Sequence, residues 1–313
     1  MKAAAVTVKR PLSERIVRQV RKNWMLYLFV APSLIYLIIF NYVPLYGIQL
    51  AFKDFSAAQG IWGSKWTGFT HFQRFFESYQ FWTLMENTIV LSLYSLCMNF
   101  PIPIILALLL NYSISRKFKK FTQTVTYAPY FISVVVLVGM IQVFFAPDGP
   151  INQFLKLFGM QEPVLFMGSP EYFRHIFVWS GVWRQAGWGS IIYIATLAGV
   201  NPELHEAAIV DGANKLQRIL KIDLPSILPT AVIMLIMNVG NIMGLGFEKA
   251  YLLQNDINIG VSEIISTYVY KVGIQSAQYS YSTAIGLFNN VINFVLLVTV
   301  NRVAKRLSGS SLW

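Results

Sequence analysis

Side-chain amides and aromatic rings set in apolar runs are the residues of this sequence best suited to chemistry. Asn238 and Asn241 stand three apart, Asn289 and Asn290 are adjacent, and Trp183, Trp188 and Tyr193 punctuate another apolar stretch. Amides donate and accept hydrogen bonds, and rings offer flat apolar faces, so this set suits recognition of a polar ligand rather than bond making. No catalytic constellation accompanies it. The single cysteine, Cys97, lies in an apolar run and rules out a disulfide framework or a cysteine-based zinc site. The histidines His71, His175 and His205 have no partner at metal-ligand spacing. Neither a Ser/His/Asp arrangement nor His-Glu-x-x-His is present, so nothing points to an enzyme. There is no Gly-x-x-x-x-Gly-Lys-Ser/Thr and no Gly-Lys dipeptide, which excludes the P-loop route to nucleotide binding. If ATP powers this protein, another subunit must bind it.

The elements that position these residues are membrane spans. Of 313 residues, 55% are hydrophobic and 12% charged, against about 25% charged in a soluble domain, so too little charge remains to clothe a soluble surface. Six stretches approach the roughly 20 apolar residues that cross a hydrocarbon core: near 24 to 46, 86 to 111, 125 to 145, 177 to 199, 228 to 250 and 283 to 303. Lys9, Arg10, Arg15, Arg18, Arg21 and Lys22 precede the first, as in a signal peptide. Its apolar run from Met25 to Tyr46 nevertheless exceeds the roughly 7 to 15 residues of a signal core, and no small-x-small site follows. The expected organisation is an all-α polytopic protein: a basic segment 1–23, a six-helix domain 24–303 and a tail 304–313.

The net charge of +11 belongs to this topology and not to nucleic acid, because long apolar runs separate the basic clusters. With the N-terminus inside, 17 Lys/Arg fall on the cytoplasmic side and 8 outside, while 5 acidic residues fall inside and 9 outside. Excess Lys/Arg marks the cytoplasmic side, so both termini are expected there. Arg116, Lys117, Lys119 and Lys120 form one such loop and suit contact with anionic lipid headgroups. Within the spans ionisable groups are scarce, with Glu86, Arg184 and Glu248 expected near interfaces, which argues against an ion-coupled carrier.

Asn201 to Pro225 should fold outside the membrane. Asn201 is a good N-cap and Pro202 fits the first helical position. The helix runs through Glu206, Ala207 and Ala208 to Asp211, where Gly212 permits a turn. A second short helix carries Leu216, Ile219 and Leu220 on one face, and Leu224 and Pro225 are expected to stop it before the fifth span. Alone, this could be an interfacial loop resting on the bilayer.

Glu206-Ala207-Ala208, then Asp211-Gly212-Ala213, then Ile222, Leu224 and Pro225 resemble the E-A-A loop of binding-protein-dependent ABC importer permeases, with Ile219 where that family most often has Phe. Trp66-Thr67-Gly68-Phe69, His71-Phe72, Phe81-Trp82, Asn87-Thr88, Pro129, Gly149, Asn152, Leu197-Ala198-Gly199, Pro202-Glu203-Leu204 and Phe247 to Leu253 extend the similarity over nearly the whole chain. It narrows to the carbohydrate-uptake, maltose-permease-like group and its polysaccharide/lipoprotein-type branch. The resemblance implies the type I ABC importer permease fold, a second homologous permease, two ABC ATPase subunits that carry ATP and Mg, and an extracytoplasmic solute-binding protein or lipoprotein. It implies no cofactor on this chain. Glu206, Ala207, Ala208, Asp211, Gly212, Ala213, Ile219, Leu224 and Pro225 would then form the ATPase-coupling loop.

For an oligosaccharide, hydroxyls and ring faces call for amides and aromatic rings with few net charges. Asn238, Asn241, Asn289, Asn290, Trp183, Trp188 and Tyr193 meet that description, although the tryptophans also suit an outer aromatic belt and the asparagines also suit bridges between helices. Gly240 and Gly244 have the small-xxx-small spacing of close helix packing. Alternatives are an importer of a non-sugar solute, because the loop does not report substrate, or an ion-coupled secondary transporter.

Overall fold

The computed structural model describes residues 19–113, 115–309 and 311–313. The basic residues of the N-terminal segment up to Arg18 lie outside them. Four helices among the described residues are long and apolar enough to cross a membrane: Trp24–Phe52, Phe81–Asn111, Lys215–Gly240 and Tyr279–Arg306. A bent pair, Arg116–Phe131 and Val134–Phe144, supplies a fifth path. The fourth expected span is the helix Pro170–Ala198, whose 29 residues reach about 43 Å at 1.5 Å per residue. Arg174, His175, Arg184 and Gln185 lie along it.

The first helix buries no residue between Trp24 and Leu37, the pattern of a helix solvated by lipid on every side. It tightens into a 3₁₀ stretch, Val43–Phe52, which packs on the sixth span. A two-residue antiparallel ribbon follows, with Lys53 opposite Trp66. Phe52 stacks on the Trp66 ring at 5.8 Å, and its carbonyl accepts from the Thr67 and Gly68 amides at 2.8 and 3.0 Å.

The third span differs from the straight helix expected over 125 to 145. Pro129 enters a 3₁₀ turn, Ala128–Phe131, and Ser133, extended at φ −62° and ψ 155°, caps a new helix, Val134–Phe144. The two arms meet at 101°. Proline removes an amide that the ladder needs, and the serine offers a fresh cap, so the chain breaks where both act. Eleven residues span about 16 Å, well short of a hydrocarbon core.

The fifth span also departs from expectation at both ends. Pro225 does not stop the preceding helix: Lys215–Gly240 is one rod. A π-turn, Ile219–Asp223, makes this possible, with the Leu224 amide bonding the Ile219 carbonyl five residues back. The wider turn accommodates the proline. At the other end the rod stops at Gly240, and after a turn at Ile242–Gly244 a separate helix, Phe247–Leu253, replaces the expected continuation to 250. Gly240 and Gly244 therefore do not share a helix. Gly240 makes the approach to another span, since a Cβ there would lie 2.5 Å from Leu297 of the sixth span, whereas a Cβ at Gly244 would meet the nearby Asn241 side chain.

Three apolar clusters hold the bundle. Leu91, Leu137, Phe177, Val178 and Leu253 join the second, third and fourth spans to Phe247–Leu253. Phe75, Leu84, Met243, Ile265 and Ile285 gather around the sixth span. Ala107, Tyr193, Leu197, Ile227 and Ala231 close the end from which the 201–223 loop projects.

Candidate functional site

The loop forms the expected helix-turn-helix. Asn201 accepts from the Glu203 amide at 3.1 Å, and Pro202–Val210 is helical. Gly212 turns the chain at φ +79°, and the Ala213 amide returns to the Ala208 carbonyl at 2.8 Å. Asn214 and Gln217 form a reciprocal capping box that starts the fifth rod, a device worth about 1 kcal/mol. Glu206, Ala207 and Asp211 are exposed, and Ala208, Ala213 and Ile219 are half-buried. Leu204, Ile209 and Val210 project outward, Val210 with 87% of its surface exposed. Leu224 and Pro225 lie in the rod beyond the π-turn.

Beneath this helix sits a carboxylate that the sequence reading did not single out. Asp223 is fully buried. Its Oδ2 accepts from the Tyr112 hydroxyl at 2.6 Å, and its Oδ1 lies 3.3 Å from His205 Nε2. The Arg218 guanidinium lies 5.5 Å from the Tyr112 ring centroid. Three pieces meet here: the end of the second span, the exposed helix and the root of the fifth span. Burial first, then the hydrogen bond and charge of Asp223, push the Tyr112 hydroxyl up to about 12, with Arg218 opposing. The phenol thus stays a donor.

A cavity of about 950 Å³ opens between the second, fourth and fifth spans. Asn238, Asn241, Trp188 and Tyr193 line it, joined by Ser92, Ser95, Asn99 and Gln185. Trp188 lies flat on Tyr130, centroids 4.5 Å apart and planes 5° from parallel. Trp183 is half exposed and is not among the lining residues. Asn289 and Asn290 are also elsewhere, in a separate groove with Gly273 and Tyr279. Asn289 donates to the Met243 carbonyl at 3.3 Å, a bridge between helices.

The cavity is not free of charge, contrary to expectation. Arg184 is the midpoint of Pro170–Ala198, and it lines the cavity together with Glu248 and Lys249. Its Nε donates to the Ile132 carbonyl at 2.9 Å, at the break of the third span. Lys249, 8% exposed, donates to the Phe177 carbonyl. The sequence alone does not bring these two cations to one cavity, because the fourth helix begins earlier and the fifth ends sooner than hydropathy suggests.

Two motif asparagines prove structural. Asn87 donates to the carbonyls of Gly260 and Glu263 at 2.9 and 3.1 Å and accepts from Arg174 at 3.1 Å. Asn152 ties Ala146 and Val164 into the outer loop.

Residues 99–309 match the family model for the binding-protein-dependent transport system inner membrane component. The polygalacturonan/rhamnogalacturonan transport system permease protein YteP of Bacillus subtilis is 42% identical over 303 residues, covering 96% of this chain and 94% of that one. Protein LplB of the same organism is 41% identical, covering 94% and 92%. A crystal structure of a bacterial ABC transporter involved in the import of the acidic polysaccharide alginate matches with TM-score 0.87 and 38% identity, over 94% of this chain and 99% of that one. The same kind of transporter in complex with an alginate pentasaccharide-bound periplasmic protein matches with TM-score 0.88 and 37% identity, over 95% and 100%. The chain belongs to the binding-protein-dependent transport system inner membrane component family, as a membrane-embedded permease of an ABC importer with the type I fold that works with a solute-binding protein, while ATP hydrolysis belongs to a separate subunit.

Proposed function

We propose that the chain pairs with a second homologous permease in the bacterial cytoplasmic membrane to enclose the path of an oligosaccharide, with both termini cytoplasmic. An extracytoplasmic binding protein delivers the substrate. Two ABC ATPase subunits carry ATP and Mg beneath the pair, and this chain binds no cofactor of its own. The cargo named for the relatives, polygalacturonan or rhamnogalacturonan and alginate, supports a polysaccharide-derived substrate, and those polymers are acidic. The cavity suits it with amides at Asn238 and Asn241, the Trp188 ring and the Tyr193 hydroxyl. The 17 to 8 distribution of Lys/Arg supports the orientation.

The observation that carries the coupling role is the exposed helix Pro202–Val210, whose root is fastened to two spans through Asp223. A short rigid element joined to the bundle transmits movement as a rigid body. Leu204, Ile209 and Val210 offer apolar contact to an ATPase groove, Ala207 permits close approach, and Glu206 can pair with a basic residue there. Co-purification tests this reading. Tagged wild-type chain should retain both the ATPase and the second permease, and Val210→Asp should release the ATPase while keeping the permease. Full retention of the ATPase by Val210→Asp and Leu204→Asp would remove the helix from this role.

A further inference from the structure

We propose that Arg184 and Lys249 form a carboxylate-binding subsite in the cavity wall, which selects oligosaccharides bearing uronate groups. This rests on the cavity being the substrate path. A cation held inside a membrane protein is costly and is ordinarily compensated by a carboxylate. Among the described residues neither cation has such a partner. The ion pairs of Arg and Lys among the described residues join Arg174 to Glu86 and Lys271 to Glu263. Glu248, the acid of the cavity lining, is exposed and pairs with neither cation.

Both cations keep donors in reserve. Arg184 spends Nε on the Ile132 carbonyl and lies 6.0 Å from the Tyr130 ring centroid, which fixes the direction of the guanidinium, and among the described residues its terminal nitrogens have no hydrogen-bond acceptor. Lys249 spends one of three N–H donors on the Phe177 carbonyl. Gly181 lets that amine rest against the fourth helix, since a Cβ there would lie 3.1 Å from Nζ. Gly181 and Arg184 stand three residues apart on one face of Pro170–Ala198, so the amine that rests against Gly181 and the guanidinium reach the cavity from neighbouring turns of the same wall. A guanidinium fork matches the two oxygens of a carboxylate. Nearby Asn238, Asn241 and Gln185 supply amides for sugar hydroxyls. The subsite thus separates acidic from neutral sugars of equal size.

The test uses proteoliposomes holding the complete transporter with its partner permease, ATPases and binding protein. Uptake of labelled trigalacturonate is compared with that of its methyl ester. Wild type should favour the acid, and Arg184→Gln and Lys249→Met should each lower the acid-to-ester ratio about tenfold, the equivalent of one lost charge-assisted contact. Arg184→Lys should recover part of the ratio. Equal loss of both substrates in Arg184→Gln, with the ratio unchanged, would assign Arg184 to bracing the break at Ile132 and overturn the subsite while leaving the path intact. Wild-type uptake of neither oligosaccharide by the assembled complex would overturn the substrate reading itself, and the subsite with it.

Discussion

The Tyr112 hydroxyl donates to the Asp223 carboxylate at 2.6 Å, joining the end of the second span to the π-turn at the root of the fifth. His205, on the exposed helix, reaches the other oxygen of the same carboxylate at 3.3 Å. A buried carboxylate that loses its donor is costly to leave unpaired, by about 1 to 3 kcal/mol, so the contact resists separation of the two spans. Asp223→Ala should therefore uncouple the exposed helix from the spans. Substrate uptake and substrate-stimulated ATP hydrolysis are expected to fall about tenfold together, equivalent to roughly 1.4 kcal/mol. Asp223→Asn, which still accepts a hydrogen bond, should retain an intermediate level. Equal activity in wild type and Asp223→Ala would separate this carboxylate from transmission.

The same contact gives a pH signature. With the Tyr112 hydroxyl raised from 10.0 to about 12 by burial and by Asp223, the folded chain holds that proton more tightly than the unfolded chain. Stability from this group is complete below pH 10 and is lost as pH rises through about 12. In detergent, the Tm of wild type minus that of Tyr112→Phe should stay flat up to about pH 9 and then decline toward pH 12. A difference that rises over that interval would contradict the assignment.

Gly212 separates backbone from contact effects. At φ +79° it adopts a conformation that costs an L-residue about 1 to 2 kcal/mol, yet an added Cβ would meet nothing within 4 Å. Gly212→Ala should accordingly reduce coupling mildly. Gly212→Pro, locked near φ −65°, should leave the protein in the membrane and cut uptake and substrate-stimulated ATP hydrolysis well beyond the alanine variant. Measuring membrane abundance alongside activity checks both halves of this expectation.

The helix-turn-helix at 201–223 was legible because its signals are local. Asn201, Pro202 and Gly212 each act on their own backbone, and the structure returns the cap, the helix and the turn where those residues stand. The third and fifth spans were less so. Apolar composition marks a membrane segment without showing that Ser133 restarts a helix or that a π-turn carries the chain past Pro225. Asp223 and Lys249 escaped notice for a related reason: each matters through a partner 111 or 72 residues away. Asn238 and Asn289 looked equivalent as amides in apolar runs, yet their neighbours divide them.

That division supplies a test of the cavity. Asn238 is exposed to it and spends no side-chain hydrogen bond on the protein, whereas Asn289 and Asn293 grip the turn at Met243, Asn289 through its carbonyl at 3.3 Å and Asn293 through its amide at 3.0 Å. Asn238→Leu removes only what a ligand would use. It should leave thermal stability and assembly near wild type while lowering oligosaccharide uptake about tenfold, the effect expected when a substrate hydroxyl loses its partner. Asn289→Leu instead orphans the Met243 carbonyl, at a cost of about 1 to 3 kcal/mol. It should lower Tm and complex yield, with uptake per assembled complex little changed. Swapped outcomes would move the substrate path out of this cavity and toward the groove lined by Asn289 and Asn290.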